Sequence, residues 1–193
     1  MSTKALALAT QIRHLASGAV RPVAFALLLW AATAAGEIPI PGTPVPITLQ
    51  TFVVMMAALM LSWRQAGAAV ALYLAAGAAG LPVFAGGGST MSLLGPSAGF
   101  LIGFLPGVIV TAMLKGRGRA DGAAGTALTA LRYFAATLVG GVAVVYFFGF
   151  TFQSALTGVP FMTVATASMG FVVGDLIKAA VASLTAAGLL RLR

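Results

Sequence analysis

The chain contains no cysteine, a single histidine and only three acidic residues. Without cysteine there are no disulfides, no thiolate chemistry and no cysteine-ligated metals. His14 stands before the first apolar run, on the side of that run opposite Gly95-Pro-Ser-Ala-Gly, so a Ser–His nucleophile pair has no partner to build from. No Gly-x-x-x-x-Gly-Lys-Ser/Thr phosphate loop exists, because the glycines between Gly80 and Thr90 lack a lysine; the chain has no ATP-using engine of that kind. No aromatic residues interleave with a basic surface, which argues against nucleic acid. One Asp and one Lys do not form the ring a channel filter needs. The catalytic and metal sets are therefore empty, no cofactor is expected, and solute binding is the class that survives.

What the chain does have is hydrocarbon. Sixty per cent of residues are hydrophobic, 7% are charged, and mean hydropathy is +1.05, the balance of an integral membrane protein. A crossing needs about 20 apolar residues. The apolar runs Val20 to Gly36, Ile47 to Ser62, Gly67 to Leu81, Met91 to Leu114, Tyr133 to Phe152 and Phe161 to Leu190 predict an all-α bundle of six transmembrane helices, one domain over 1–193. Lys4, Arg13, Arg21, Arg64, Lys115, Arg117, Arg119, Arg132, Arg191 and Arg193 all fall on one side of that arrangement. The segments Glu37 to Pro46, Pro82 to Thr90 and Thr151 to Pro160 hold no Lys or Arg. By the positive-inside rule both termini face the cytoplasm, with the basic residues against anionic headgroups of the cytoplasmic membrane. Arg21, a short apolar run and Ala34-Ala35-Gly36 also imitate a signal peptide, but removing that run would leave five crossings and force a basic segment outside.

Several runs are short for a full crossing, so the outer loops are expected to be partly re-entrant, with irregular backbone lining a polar cavity. Pro39, Pro41, Pro44 and Pro46 make 38–50 stiff and extended. Gly86, Gly87 and Gly88 make 80–90 a flexible wall that can close, its backbone N–H groups open to a ligand. Gly95, Gly99, Gly103 and Gly107 at four-residue spacing predict a groove for close helix approach, with Pro106 bending its far end and Gly95-Pro96 at its open end. Ala31 with Ala35, and Ala32 with Gly36, repeat the small-residue spacing in the first helix.

The most informative residues are Asp175 and Lys178, opposite charges three apart within an apolar helical stretch. Either charge alone costs about 2.5–3.5 kcal/mol in a bilayer core even on the lenient insertion scale. Three residues apart on a helix, both side chains face one region. Together they offer a carboxylate acceptor and an ammonium donor, which suits a neutral urea-like ring with N–H donors beside a C=O. An internal ion pair that merely joins helices is the competing reading.

The blocks Pro46-Ile-Thr-Leu-Gln-Thr-Phe, Tyr73-Leu-Ala-Ala-Gly-Ala-Ala-Gly-Leu-Pro-Val-Phe, Gly95-Pro-Ser-Ala-Gly-Phe-Leu-Ile-Gly-Phe and Gly174-Asp-Leu-Ile-Lys resemble the BioY family, the biotin-binding S components of energy-coupling factor transporters. The four blocks occur in family order from 46 to 178. The resemblance implies a membrane subunit that captures biotin from outside in a pocket formed by outer helix ends and the first and third loops. It implies Asp175 and Lys178 at the ureido ring, Gln50 and Thr48 lining the pocket, Tyr73 and Phe84 as apolar walls, and Gly95 and Phe100 beside it. Some relatives carry an amide in the third loop; here Ser89, Thr90 or loop N–H groups are left to hold the valerate carboxylate. The implied partners are a transmembrane T component and cytoplasmic ATPase subunits, with Ala31 and Ala35 as contact residues. The alternative from the residues alone is a self-sufficient, proton-coupled secondary transporter in which Asp175 titrates.

Overall fold

The computed structural model describes the backbone of residues 3–119 and 121–192 and the side chains of 18–119 and 121–191; the side chains of Lys4, Arg13, His14 and Arg193 lie outside the described residues. Among the described residues the regular elements are helices, with isolated bridges and short 3₁₀ turns in the connections: α1 (Thr3–Ala34), α2 (Gln50–Met60), α3 (Trp63–Ala78), α4 (Ala98–Leu114), α5 (Gly122–Thr157, with a π-helical stretch at Thr137–Val144), α6 (Phe161–Ala167) and α7 (Gly170–Leu189). α5 and α7 are long and apolar enough to cross a membrane; Gly18–Ala34, α2 and α4 are shorter apolar helices. α2 stops because Leu61 is extended, and α3 starts at once because Ser62 and Gln65 form a reciprocal capping box.

Beyond Phe171, the core-facing positions of α7 carry small and polar side chains, and its outward positions carry large apolar ones. On α7, Asp175, Ala179, Ala182, Ser183, Ala186 and Ala187 are buried, whereas Val173, Ile177, Val181 and Leu184 are exposed. Small inward residues let backbones approach closely where lipid, not water, is outside. The alanine stripe packs against Met55 and Leu59 of α2 and Ala130 and Tyr133 of α5. The glycine ladder of α4 does the same job against α5: a Cβ on Gly99 would lie 2.4 Å from the Phe148 carbonyl, and one on Gly107 2.7 Å from that of Gly140.

The expected run boundaries need several corrections. Gly95 is not part of that ladder: α4 begins at Ala98, since Pro96 disfavours helix in the residue before it, and a Cβ on Gly95 would have only ordinary contact. The basic stretch expected as a loop up to Arg132 is helical from Gly122, and the run from Phe161 to Leu190 breaks at Ser168–Met169 into α6 and α7. Ile40 of the first loop seats against that break, 3.2 Å from where a Gly170 Cβ would be.

The triple-glycine segment forms a closed turn. Phe84 is buried edge-on against Tyr73, with ring centroids 5.2 Å apart, and fills the space a Gly77 side chain would need. Phe84 N–H donates to Gly88 at 2.9 Å, while Gly86 and Gly87 supply the positive φ the turn demands. The proline-rich segment is pinned too: Ile38 and Ile47 exchange backbone hydrogen bonds of 2.9 and 2.8 Å around a turn at Gly42.

Contacts gather the cations at the end of the bundle away from these loops. The Arg191 guanidinium donates to Thr126 at 2.8 Å, Arg132 to the Arg117 carbonyl, and Lys115 to carbonyls at the end of α2.

Candidate functional site

At the opposite end, α2, α4, α5, α7 and the first and third loops enclose a cavity of about 270 Å³. Its floor is polar and buried. Thr48, just before α2, and Thr51, in its first turn, lie across from Asp175 and Lys178, which are one helical turn apart on α7. Asp175 Oδ1 accepts from Lys178 Nζ at 2.9 Å and from the Thr51 hydroxyl at 2.8 Å; Oδ2 accepts from the Tyr146 hydroxyl at 2.8 Å. Lys178 also donates to the Thr48 carbonyl at 2.7 Å and the Thr51 hydroxyl at 3.0 Å.

All three ammonium N–H groups are engaged, whereas Oδ2 accepts one bond and has a lone pair spare. The site can take one N–H donor at once. It can offer an N–H to a ligand carbonyl by sharing or exchanging the Thr51 bond, the longest of the three. Asp175 is 4% exposed. Such a pair is retained against a desolvation cost of several kcal/mol per ion, so stability alone is a poor reason for it.

Above the floor the walls are aromatic. Phe100, Tyr146 and Phe171 meet edge-to-face, with centroids 6.4 Å apart for Phe100–Tyr146 and 6.0 Å for Phe100–Phe171. Phe100 reaches this position because Gly149 has no Cβ, which would lie 2.4 Å from its ring. Phe104, Leu101 and Val145 continue the wall; Val45, Pro46 and Ile47 of the first loop and Phe84 and Ala85 of the third close it from above. Ser92 and Ser97 add hydroxyls, and Glu37 and Pro44 stand exposed at the mouth.

The structure brings Asp175, Lys178, Thr48, Gln50, Phe84 and Phe100 to one cavity. Tyr73, Ser89, Thr90 and Gly95 are not among the lining residues. Tyr73 is buried behind the wall, accepting from Gln50 Nε2 and donating to the Val83 carbonyl at 2.9 Å, which also accepts from Thr33 at 2.8 Å. It thus orients Gln50 and anchors the third loop instead of forming a wall. Thr90 donates to the Ala78 carbonyl at 3.0 Å and closes the end of α3. Ala31 and Ala35 are exposed on α1.

Sequence reasoning missed Thr51, Tyr146, Phe104, Phe171, Ser92, Ser97 and Glu37. Thr51 was within reach, since it sits one residue past Gln50 in the first motif block. Tyr146 gave a weaker signal, a hydroxyl inside Val145-Tyr-Phe-Phe-Gly-Phe that would need a polar partner wherever it was buried.

The sequence pattern of the BioY family matches residues 3–193. The biotin transporter BioY of Rhizobium etli is 41% identical over 142 residues, 73% of this chain and 75% of that protein. The biotin transporter BioY of Rhodobacter capsulatus is 39% identical over 173 residues, 84% and 87% of the respective chains. Among solved structures, the S-component for biotin from an ECF-type ABC transporter matches with a TM-score of 0.80 at 26% identity, covering 99% of this chain and 95% of that one.

Proposed function

Because the chain belongs to the BioY family, a family of membrane transporters and not of enzymes, we propose that it is the biotin-capturing S component of an energy-coupling factor uptake system. The observation that carries this reading is the hydrogen-bonded Asp175–Lys178 pair at the buried floor of an aromatic cavity. Biotin's ureido ring presents N–H donors beside a carbonyl. One ring N–H donates to Asp175 Oδ2, and the ring carbonyl accepts from Lys178 in place of the Thr51 hydroxyl. The exchange leaves the pair neutral overall, so no net charge is buried with the ligand. Phe100, Phe171 and Tyr146 flank the sulfur ring, and the valerate tail runs toward Ser92, Ser97 and the mouth.

In this reading the bundle crosses the cytoplasmic membrane six times, by α1 to α5 and by α6 with α7. Both termini and the cation-rich end are cytoplasmic, consistent with cation-free outer segments. The loop backbone over the cavity sits below the outer surface, shielded by protein. The chain has no nucleotide-binding loop, so transport requires a transmembrane T component and ATPase subunits, with the exposed Ala31 and Ala35 as candidates for close contact.

The test is calorimetric titration of biotin into purified protein. Asp175→Asn and Lys178→Ala each weaken binding by at least about a hundredfold while the melting transition persists, as expected when a buried charged partner is lost. Unchanged affinity in both variants removes the site assignment.

A further inference from the structure

Among the described residues, the charged side chains lining the cavity are Glu37, Asp175 and Lys178. Asp175 and Lys178 neutralise each other at the floor, at 2.9 Å. Glu37 is left over. Among the described residues its carboxylate has no ion-pair or hydrogen-bond partner. It lies over the third loop, its oxygens 3.5 and 3.6 Å from where a Gly86 Cβ would be, next to the lining residues Phe84 and Ala85. Among the described residues no cation balances it, and the outer segments 37–46, 82–90 and 151–160 contain no Lys or Arg. The cavity as a whole therefore carries one net negative charge, and that charge stands at the exposed mouth, where a ligand's tail must emerge.

We propose that Glu37 is a specificity-determining residue that makes the mouth discriminate by tail charge, favouring ureido-ring ligands with an uncharged, amide-capped tail over those with a free carboxylate. The inference rests on the biotin reading above and names the form of the ligand that the site accepts best. Two like charges several ångströms apart in a partly wetted mouth repel enough to change affinity by roughly tenfold. The hydroxyls of Ser92 and Ser97 can donate to a neutral amide carbonyl or to a carboxylate, so they do not restore a preference for the anion.

The experiment is calorimetric titration at pH 7 of the wild-type chain, Glu37→Gln and Glu37→Lys with biotin and with biotinamide, whose tail is neutral. Glu37 is exposed, so both variants are expected to fold, and a melting curve accompanies each titration. The wild type binds biotinamide roughly tenfold more tightly than biotin. Biotin affinity rises at each step from Glu to Gln to Lys, roughly fivefold to tenfold per unit of charge, while biotinamide stays within about twofold. Parallel changes for the two ligands, or no change for either, overturn the role of Glu37 and leave the biotin reading intact. Failure of the wild type to bind either ligand overturns the biotin reading, and the charge preference with it.

Discussion

Two half-buried lysines meet the two ends of α2, and their surroundings differ in one respect. Lys178 reaches the start of the helix and finds a counter-ion, Asp175, together with the Thr48 carbonyl and the Thr51 hydroxyl. Lys115 reaches the other end and finds only backbone: the carbonyls of Ala58, Leu59 and Leu61, which α2 leaves unpaired where it stops. The second arrangement is a helix cap, in which a cation meets the negative end of the dipole and orphan carbonyls are satisfied. The first has no capping role to play, because at a helix start the dipole disfavours a cation. Lys178 is held there by Asp175, and the pair faces a cavity. The same residue type thus caps backbone at one end of α2 and, in the proposed reading, meets the ligand at the other.

The largest effect that would separate the two lysines is on stability. Lys178→Met strands the Asp175 carboxylate without its cation in a buried place, which costs roughly 3–5 kcal/mol. The double variant with Asp175→Asn recovers most of the lost melting temperature, although binding stays abolished. If Lys178→Met melts like the wild type, the pair is not a coupled buried ion pair.

Lys115→Met is expected to be milder, about 1–3 kcal/mol from carbonyls left unpaired. Biotin affinity should stay within about threefold of wild type. A loss of binding as large as that of Lys178→Ala would erase the distinction between cap and site.

The smallest effect is a pH dependence. Burial pushes the Lys115 ammonium, which lies beyond the last residue of α4, from 10.5 down to about 8, against the pull of the accepting carbonyls. Between those values the unfolded chain binds more protons at this lysine than the folded one, so stability rises with pH from about 8 to about 10.5. Melting temperatures across that window should climb modestly in the wild type, and the climb should shrink in Lys115→Met.

Periodicity and composition made the helices legible because a bilayer solvent leaves one strong signal, long apolar runs separated by charge. They could not place the helix ends. The break at Ser168–Met169 lies inside an apolar stretch, and the packing of Ile40 against Gly170 accompanies it. Gly99, Gly103 and Gly107 were readable as a groove, since spacing alone puts them on one face; that the partner is α5 was not. The seat of the third loop was not legible, because Gly77 makes room for Phe84, a contact between residues seven apart whose meeting depends on how the chain turns after α3.

The site divides the same way. Asp175 and Lys178 stood out because a charge in an apolar helix is costly wherever that helix packs, and this holds before any fold is known. Tyr146 and Thr51, which hold the carboxylate, carry no such signal: a tyrosine or threonine in an apolar run is inexpensive until it is buried, and its partner is set by which helices meet. By itself the sequence determined the solvent this chain faces, the helical runs and the two charges that must find each other. The tertiary structure alone decided which neighbours share that pair, which loops roof it and where Glu37 stands, because distances between residues far apart in the chain follow from packing and not from spacing.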